Sequence, residues 1–543
     1  MHIGSHVVYE IYPKSFCDSN HDGIGDIRGI LTKLDYLKEL NVDCLWLTPF
    51  FESPQLDNGY DISDYFKIDP RYGTMADFDE LIKQTKSRDM TVMLDMVFNH
   101  TSTAHPWFQK ALAGDPVYQN YYFFKESKDG KVPTNWVSKF GGSTWEYVPN
   151  LDLYYLHLFG KTQADLNWDN PAVRKEMADI LQFWMDKGVK GFRFDVINLI
   201  SKPSVFTNDD QGDGRRFYTD GLHVHEYLKE LNQATFGKDP SILTVGEMSS
   251  TDIANCILYA GEHSNQLNMA FSFHHLKADY LNGDKWKLKP FDFAELKQIL
   301  NDWQIKMTEN NAWNALFWNN HDQPRAVSRF CSNPAMQNRA AKMLASCIHF
   351  MRGTPYIYQG EEIGMRNPGF DSIDQYRDIE SLNYYDILKA TESEETTMKI
   401  LQERSRDNSR TPMQWDSSMY AGFSASKPWI AVCDDYQTIN VENETNDPDS
   451  VLSFYKAIIS LRKSMPIIQE GAFHPLLLQH PAIFAYRRTY NKQNLIVLCN
   501  FYDQTAEYEL DTAGYRILLS NIQESSVPHA LKPYETLVLL KDE

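Results

Sequence analysis

Eight short apolar runs, rich in β-branched and aromatic residues, restrict the fold of this chain more than anything else in it. They lie near residues 8–12, 44–47, 92–97, 191–196, 243–246, 269–273, 315–318 and 356–358, separated by stretches with helical amphipathic spacing. Uninterrupted hydrophobicity marks strands covered on both faces, and strands that alternate with helices belong to a parallel sheet. Eight such units predict a closed parallel barrel wrapped by helices. The third connection, residues 101–163, is too long for a simple loop and is rich in Gly, Tyr and Trp. It reads as an inserted subdomain that walls one side of a pocket. Beyond the helical stretch at 451–463, alternation resumes in HPAIFAYRRTY and NLIVLCNF, which predicts a small antiparallel β domain. The expected division is a catalytic barrel over 1–100 and 164–465, a subdomain B over 101–163 and a C-terminal β-sandwich over 466–543. No repeat of 20 to 50 residues and no low-complexity tract interrupts this plan.

In a parallel barrel the last side chains of every strand face one pocket at the carboxyl edge. Asp195 closes the run in GFRFDVIN, Glu247 that in LTVGEMSS and Asp322 that in FWNNHDQPR. Any one of these acids could simply cap a helix or form a turn. Their neighbours point elsewhere. Arg193 lies two residues before Asp195, on the same face of a strand, where a guanidinium would hold the carboxylate ionised. His321 precedes Asp322, and His100 ends TVMLDMVFNH behind Asp95 and Asn99. Paired carboxyl groups suit glycosidic cleavage, in which one protonates the leaving oxygen and the other attacks or stabilises the anomeric carbon. Glu247, beside apolar neighbours and a negative partner, is the one expected to keep its proton.

Taken together, LDMVFNH, GFRFDVIN, VGEM, NNHD and QADLN resemble the strand-end signatures of the α-amylase superfamily, glycoside hydrolase family 13. The resemblance runs from about Val8 to the carboxyl-terminal residues and implies a (β/α)8 TIM barrel. YEIYPKSF, DNGYDISDY and RDNSRTPMQW are similar to the oligo-1,6-glucosidase group. The resemblance implies a retaining mechanism with Asp195 as nucleophile, Glu247 as acid/base and Asp322 bracing the sugar hydroxyls. It further implies substrate contacts from Asp57, Tyr60, His100, Phe140, Arg193, His321 and Arg410. Tyr60 would be the stacking platform, with Asp57 and Arg410 as the pair that closes the pocket around a terminal glucose. Outside their motifs, Tyr60 and Arg410 would pass for a buried aromatic and a structural ion pair. A closed pocket implies exo action, one glucose at a time.

Three further stretches, SPQLDNGYD, DDQGDGRRFYTDG and HHLKADYLNGDKW, resemble those of trehalose-6-phosphate hydrolases. They are cationic for so acidic a chain. Arg215, Arg216, Lys277 and Lys285, with Lys287 and Lys289 nearby, are candidates for binding a phosphate dianion through charge-assisted hydrogen bonds, although exposed loop cations are commonly just solvated. The expected reaction is hydrolysis of trehalose 6-phosphate to glucose and glucose 6-phosphate. The alternative is an oligo-1,6-glucosidase or dextran glucosidase acting on neutral isomaltosides, which Val196 after the nucleophile also suits. Sucrose isomerases carry an RLDRD-type stretch where this chain has RAVSRF. Transporter heavy chains share the barrel but need a membrane segment and have degraded carboxylates.

DSNHDGIGD sets oxygen ligands at Asp18, Asn20, Asp22 and Asp26, with Gly23 at the sharp turn and the Ile24 carbonyl available. That spacing resembles the first part of a calcium loop. The expectation is structural Ca2+, with Mg2+ as the alternative and no organic cofactor; the competing reading is a solvated acidic turn. With 53 basic against 73 acidic residues the net charge is −20, which argues against nucleic acid or an anionic membrane as partner. Seven scattered cysteines make no disulfide framework. The start MHIGSHVVYEIYP lacks the form of a signal peptide and no apolar stretch reaches about 18 residues. A cytoplasmic enzyme acting on a small phosphorylated disaccharide is expected; the sequence leaves the oligomeric state open, with a monomer as the expectation.

Overall fold

The structure, a computed structural model, describes residues 3–127, 130–523 and 529–542; residues 1, 2 and 543, the outer bounds expected for the barrel and the terminal domain, lie outside them. Eight strands, β1 (Val8–Ile11), β2 (Cys44–Leu47), β3 (Thr91–Met96), β4 (Gly191–Phe194), β5 (Leu243–Met248), β6 (Met269–Ser272), β7 (Asn314–Leu316) and β8 (Thr354–Tyr358), run in parallel and close into a barrel. Each falls within two residues of a run anticipated from hydrophobicity. Every residue of β1, β2, β4 and β8 is buried, as two-sided coverage requires.

The barrel interior is packed, not hollow. Trp46 from β2, Phe271 from β6 and Tyr356 from β8 meet with ring centroids 4.6 to 6.1 Å apart, a layer built from alternate strands. Arg193 from β4 lies over Trp46 at 5.2 Å, so the apolar filling gives way to charge toward the carboxyl edge. Outside, helix Pro171–Asp186 shows why the wrapping helices form where they do. Asn170 caps it, a proline opens it, and Val173, Met177, Ile180, Leu181 and Trp184 bury one stripe.

Between β3 and β4, strand His100–Ser102 pairs antiparallel with Gln163–Asp165, so the two ends of the long connection return to one place. A three-stranded antiparallel sheet, Phe124–Lys125, Leu153–Leu156 and Trp145–Val148, stands within it. The chain ends in a five-stranded antiparallel sheet of β9 (Ala472–Leu476), β10 (Ile483–Tyr490), β11 (Gln493–Asn500), β12 (Arg516–Ser520) and β13 (Thr536–Asp542). Phe484, Tyr486, Leu495, Val497 and Val538 join the barrel's core. The alternate residues Ile483, Ala485, Ile496, Leu498 and Leu537 form a separate core under Ala506, Tyr508 and Leu531. All seven cysteines are buried and unbridged. Among the described residues no helix is long and apolar enough to cross a membrane.

Candidate active site

A cavity of about 650 Å³ is lined by the strand-end residues Asp195, Glu247 and Asp322 together with Asp57, Tyr60, His100 and Phe140. Arg193 lies just beneath it. Its Nη1 donates to Asp95 Oδ1 and to Asp195 Oδ1, each at 2.7 Å, and its Nη2 contacts Glu247 Oε2. Parallel pairing explains the convergence, because Arg193 stands in register with Asp95 on β3 and with Val245, two residues before Glu247, on β5. The residue after Asp195, Val196, has φ +35°, a costly conformation for a β-branched side chain.

The two carboxyl groups hold protons unequally. Burial raises both, to about 6 for Asp195 and about 8 for Glu247. Arg193 pulls each back, while a hydrogen bond between them favours the anion on Asp195 and the acid on Glu247. Near neutral pH the pair therefore carries an ionised Asp195 beside a protonated Glu247. Asp322 differs from both. Burial alone would raise its carboxyl, yet the guanidinium groups of Arg406 and Arg410 hold it far below the usual range.

His321 is fully buried and kept neutral by desolvation, down to about 3. Its Nδ1 meets Glu10 Oε1 at 2.6 Å and its Nε2 meets the Tyr60 hydroxyl at 2.6 Å. Burial raises the Glu10 carboxyl well above the usual carboxylate range, and the Tyr60 hydroxyl donates to Asp95 Oδ2 at 2.9 Å. These groups agree on one arrangement: Glu10 donates to Nδ1, Nε2–H donates to Tyr60, and Tyr60 donates to Asp95. The chain of hydrogen bonds ends at Arg193. The His321 imidazole also stacks on Tyr60 at 5.1 Å, so one face of the expected platform is backed rather than open.

The pocket's closing pair differs from the expected Asp57 and Arg410. Arg410 does not line the cavity; its Nε donates to the His321 carbonyl at 2.9 Å and its Nη2 to Asp322 Oδ1 at 2.6 Å. Asp57 is instead bound by Arg406 Nη2 at 2.9 Å. Arg406 also binds Asp378, lies 3.6 Å from Asp322, and passes over Phe140 at 4.8 Å. Gln163 donates to Asp57 Oδ2 at 3.0 Å. RDNSR holds both arginines four residues apart, and the motif alone does not say which one reaches Asp57.

The candidate cations separate as clearly. Arg215, Lys277 and Lys285 line the cavity; Arg216 does not and pairs with Asp209 and Asp210 at 2.9 and 3.2 Å. Arg215 is neutralised by Asp213 at 2.8 Å and Lys285 by Glu380 at 2.7 Å. Lys287 and Lys289 pair with Asp284 and Glu295. Lys139, which sequence reading passed over, also lines the cavity and donates to Ser249 Oγ at 3.1 Å, two residues past Glu247. Burial and the nearby Arg215 lower both Lys139, to about 8, and Lys277. Among the described residues neither ammonium is paired with a carboxylate.

The family profile described as alpha amylase, catalytic domain, matches residues 10–471. The chain belongs to the alpha-amylase family. It is 51% identical to the trehalose-6-phosphate hydrolase of Bacillus subtilis (strain 168), covering 98% of this chain and 97% of that protein. It is 46% identical to the oligo-1,6-glucosidase of Bacillus cereus, with 98% of each covered. The crystal structure of Bacillus licheniformis trehalose-6-phosphate hydrolase superposes with a TM-score of 0.95, at 51% identity and 99% coverage of both chains.

In this member of the family the candidate metal loop is partly engaged otherwise. Asp18 accepts from the backbone N–H groups of Asn20, His21 and Gly23, and from Ser424 Oγ at 2.5 Å. Asp22 accepts from the Ile24 N–H, and Asn20 Oδ1 from the Asp22 N–H. Asp26 caps helix Ile27–Thr32 through Gly29 and also binds Ser19. Among the described residues no three carboxylate, imidazole or thiolate groups converge as a metal site. By type, the Asp, Asn and carbonyl oxygens still suit a hard divalent cation.

Proposed function

We propose that this enzyme hydrolyses trehalose 6-phosphate to glucose and glucose 6-phosphate with retention at the anomeric carbon. Asp195 attacks that carbon as Glu247 donates its proton to the leaving oxygen. Water then cleaves the glycosyl-enzyme ester, with Glu247 taking back a proton. Asp322, kept anionic by its arginines, would receive the sugar hydroxyls and the charge of the oxocarbenium-like transition state. The unphosphorylated glucose would occupy the pocket of Tyr60, His100, Phe140 and the Asp57–Arg406 pair.

One observation carries the substrate: Lys139 and Lys277, two ammonium groups in no ion pair among the described residues, line the cavity, Lys139 next to the strand end that presents the acid. A dianionic phosphate on the leaving sugar would neutralise them, with Arg215 at its edge. A neutral isomaltoside would leave them unpaired. That second reading is favoured by the ion pairs that already satisfy Arg215 and Lys285. The deciding measurement is kcat/KM for trehalose 6-phosphate against isomaltose and trehalose; a preference for the neutral sugars would overturn the proposal. The phosphate preference should also fall as pH rises through about 8, where Lys139 loses its charge.

The Asp18–Asp26 loop is proposed to take Ca2+, or Mg2+, through Asp18, Asn20, Asp22 and the Ile24 carbonyl, remote from the chemistry. Chelation should lower Tm before it lowers turnover, and an unchanged melting curve would remove the ion from the account. A cytoplasmic location is proposed together with that phosphorylated substrate.

A further inference from the structure

Two arginines that do not line the active-site cavity converge on the loop that follows β6, which supplies Lys277, Tyr280, Lys285 and Trp286 to it. Asp279, buried within that loop, is their common target. Arg329 donates through Nε to Asp279 Oδ2 at 2.9 Å and through Nη2 to Oδ1 at 2.5 Å. Arg404 Nη1 donates to Oδ2 at 3.0 Å. Both also hold backbone: Arg329 Nη2 donates to the Leu276 carbonyl, and Arg404 Nη2 to the Asp279 carbonyl at 3.0 Å. The residues on either side of Lys277 and Ala278 are thus tied down. Tyr280, a wall of the cavity, has both guanidinium groups over its ring, at 5.3 and 5.1 Å.

The cluster's supports come from the site itself. Arg329 lies in helix Ala326–Phe330, a few residues past Asp322, and Arg404 ends helix Glu394–Arg404, two residues before Arg406. The arginine side chains are only 4% and 3% exposed. Burying two guanidiniums around one carboxylate carries a desolvation cost that apolar packing would avoid, so stability alone is a poor reason for it.

We propose that Arg329, Asp279 and Arg404 form a positioning clamp that sets where the Lys277 ammonium and the Tyr280 ring meet the leaving sugar, and thereby sets the preference for a phosphorylated leaving group. The inference rests on the substrate reading above. None of the three touches the substrate; they act through Lys277 and Tyr280.

Arg404→Lys and Arg329→Lys keep the charge but lose the planar fork that binds carboxylate and carbonyl together. Each should raise KM for trehalose 6-phosphate about tenfold while leaving kcat/KM for p-nitrophenyl α-glucoside within about twofold. Lys277→Ala, measured in parallel, separates the two ideas. If the wild type does not prefer the phosphorylated substrate and Lys277→Ala changes nothing, the substrate reading fails and the clamp's role with it. If Lys277→Ala abolishes a real preference while both arginine variants retain it, the clamp alone fails. Equal losses on both substrates that track Tm would make the cluster purely structural and overturn the proposal as well.

Discussion

Asp195 and Glu247 lie against the same guanidinium, so their proton holding follows from their surroundings and not from residue type. The nucleophile must be an anion, so activity is lost as pH falls through about 6. The acid must carry its proton, so activity is lost as pH rises through about 8. For a neutral aryl α-glucoside, kcat/KM should trace a bell with these two limbs, read as macroscopic values of the coupled pair. Glu247→Gln should remove the alkaline limb and lower kcat on poor leaving groups by about 10² to 10⁴; an alkaline limb that persists would assign the acid elsewhere. Arg406 and Arg410 separate in the same experiment. Arg406→Ala leaves Asp57 without its ion-pair partner and Asp378 with Arg410 at 3.8 Å, a loss of about 3–5 kcal/mol for breaking a buried pair, and should mainly raise KM for every glucoside. Arg410→Ala removes the nearer of the two arginines from Asp322 and should mainly lower kcat. The opposite split of KM and kcat would restore Arg410 to the pocket wall.

At the scale of elements, strands and their terminal acids were legible in the sequence because two-sided burial writes continuous hydrophobicity, and because period two places Arg193 and Asp195 on one face. The choice between Arg406 and Arg410 was not. Both stand in one irregular segment, and which guanidinium reaches Asp57 depends on Asp378 and Glu380 arriving from elsewhere. Lys139 escaped notice because it lies in an insertion with no period to read. Its position is set by contact with the loop after β4. Val137 N–H donates to the Asp213 carbonyl at 3.0 Å, Asn135 Nδ2 to the Asp209 carbonyl at 2.7 Å and Trp136 Nε1 to the Thr207 carbonyl at 2.9 Å. Gly214 makes that docking possible: its φ is +92°, and a Cβ there would lie 2.3 Å from Trp136 Cγ. Gly214→Ala must push the loop off the insertion, beyond the roughly 1–2 kcal/mol of the left-handed backbone. It should lower Tm and raise KM for trehalose 6-phosphate more than for an aryl glucoside. Equal kinetics in the variant would show that Lys139 and Arg215 need no such register.

Across the whole molecule, the terminal sheet shares the barrel's core and does not hang from it. One face of β10, β11 and β13 packs into the main apolar cluster. Arg488 Nη1 and Arg462 Nη1 donate to the carbonyls of Phe350 and His349, each at 2.5 Å. These carbonyls end helix Gln337–His349 and precede β8, which closes the barrel onto β1. Tyr486 completes the brace, fully buried with its hydroxyl donating to the Cys347 carbonyl at 2.9 Å. Sheet and barrel should therefore unfold together. Tyr486→Ala removes a large buried ring and a hydrogen bond, a loss of about 3–5 kcal/mol by analogy with other aromatic truncations. Because the residue lies far from the cavity lining, kcat at room temperature should stay within about twofold of the wild type. Thermal inactivation and the loss of secondary structure should shift down together in one transition. A variant that kept its activity above the temperature at which the sheet melts would show two independent units, and the brace on β8 would then carry no part of the barrel's stability.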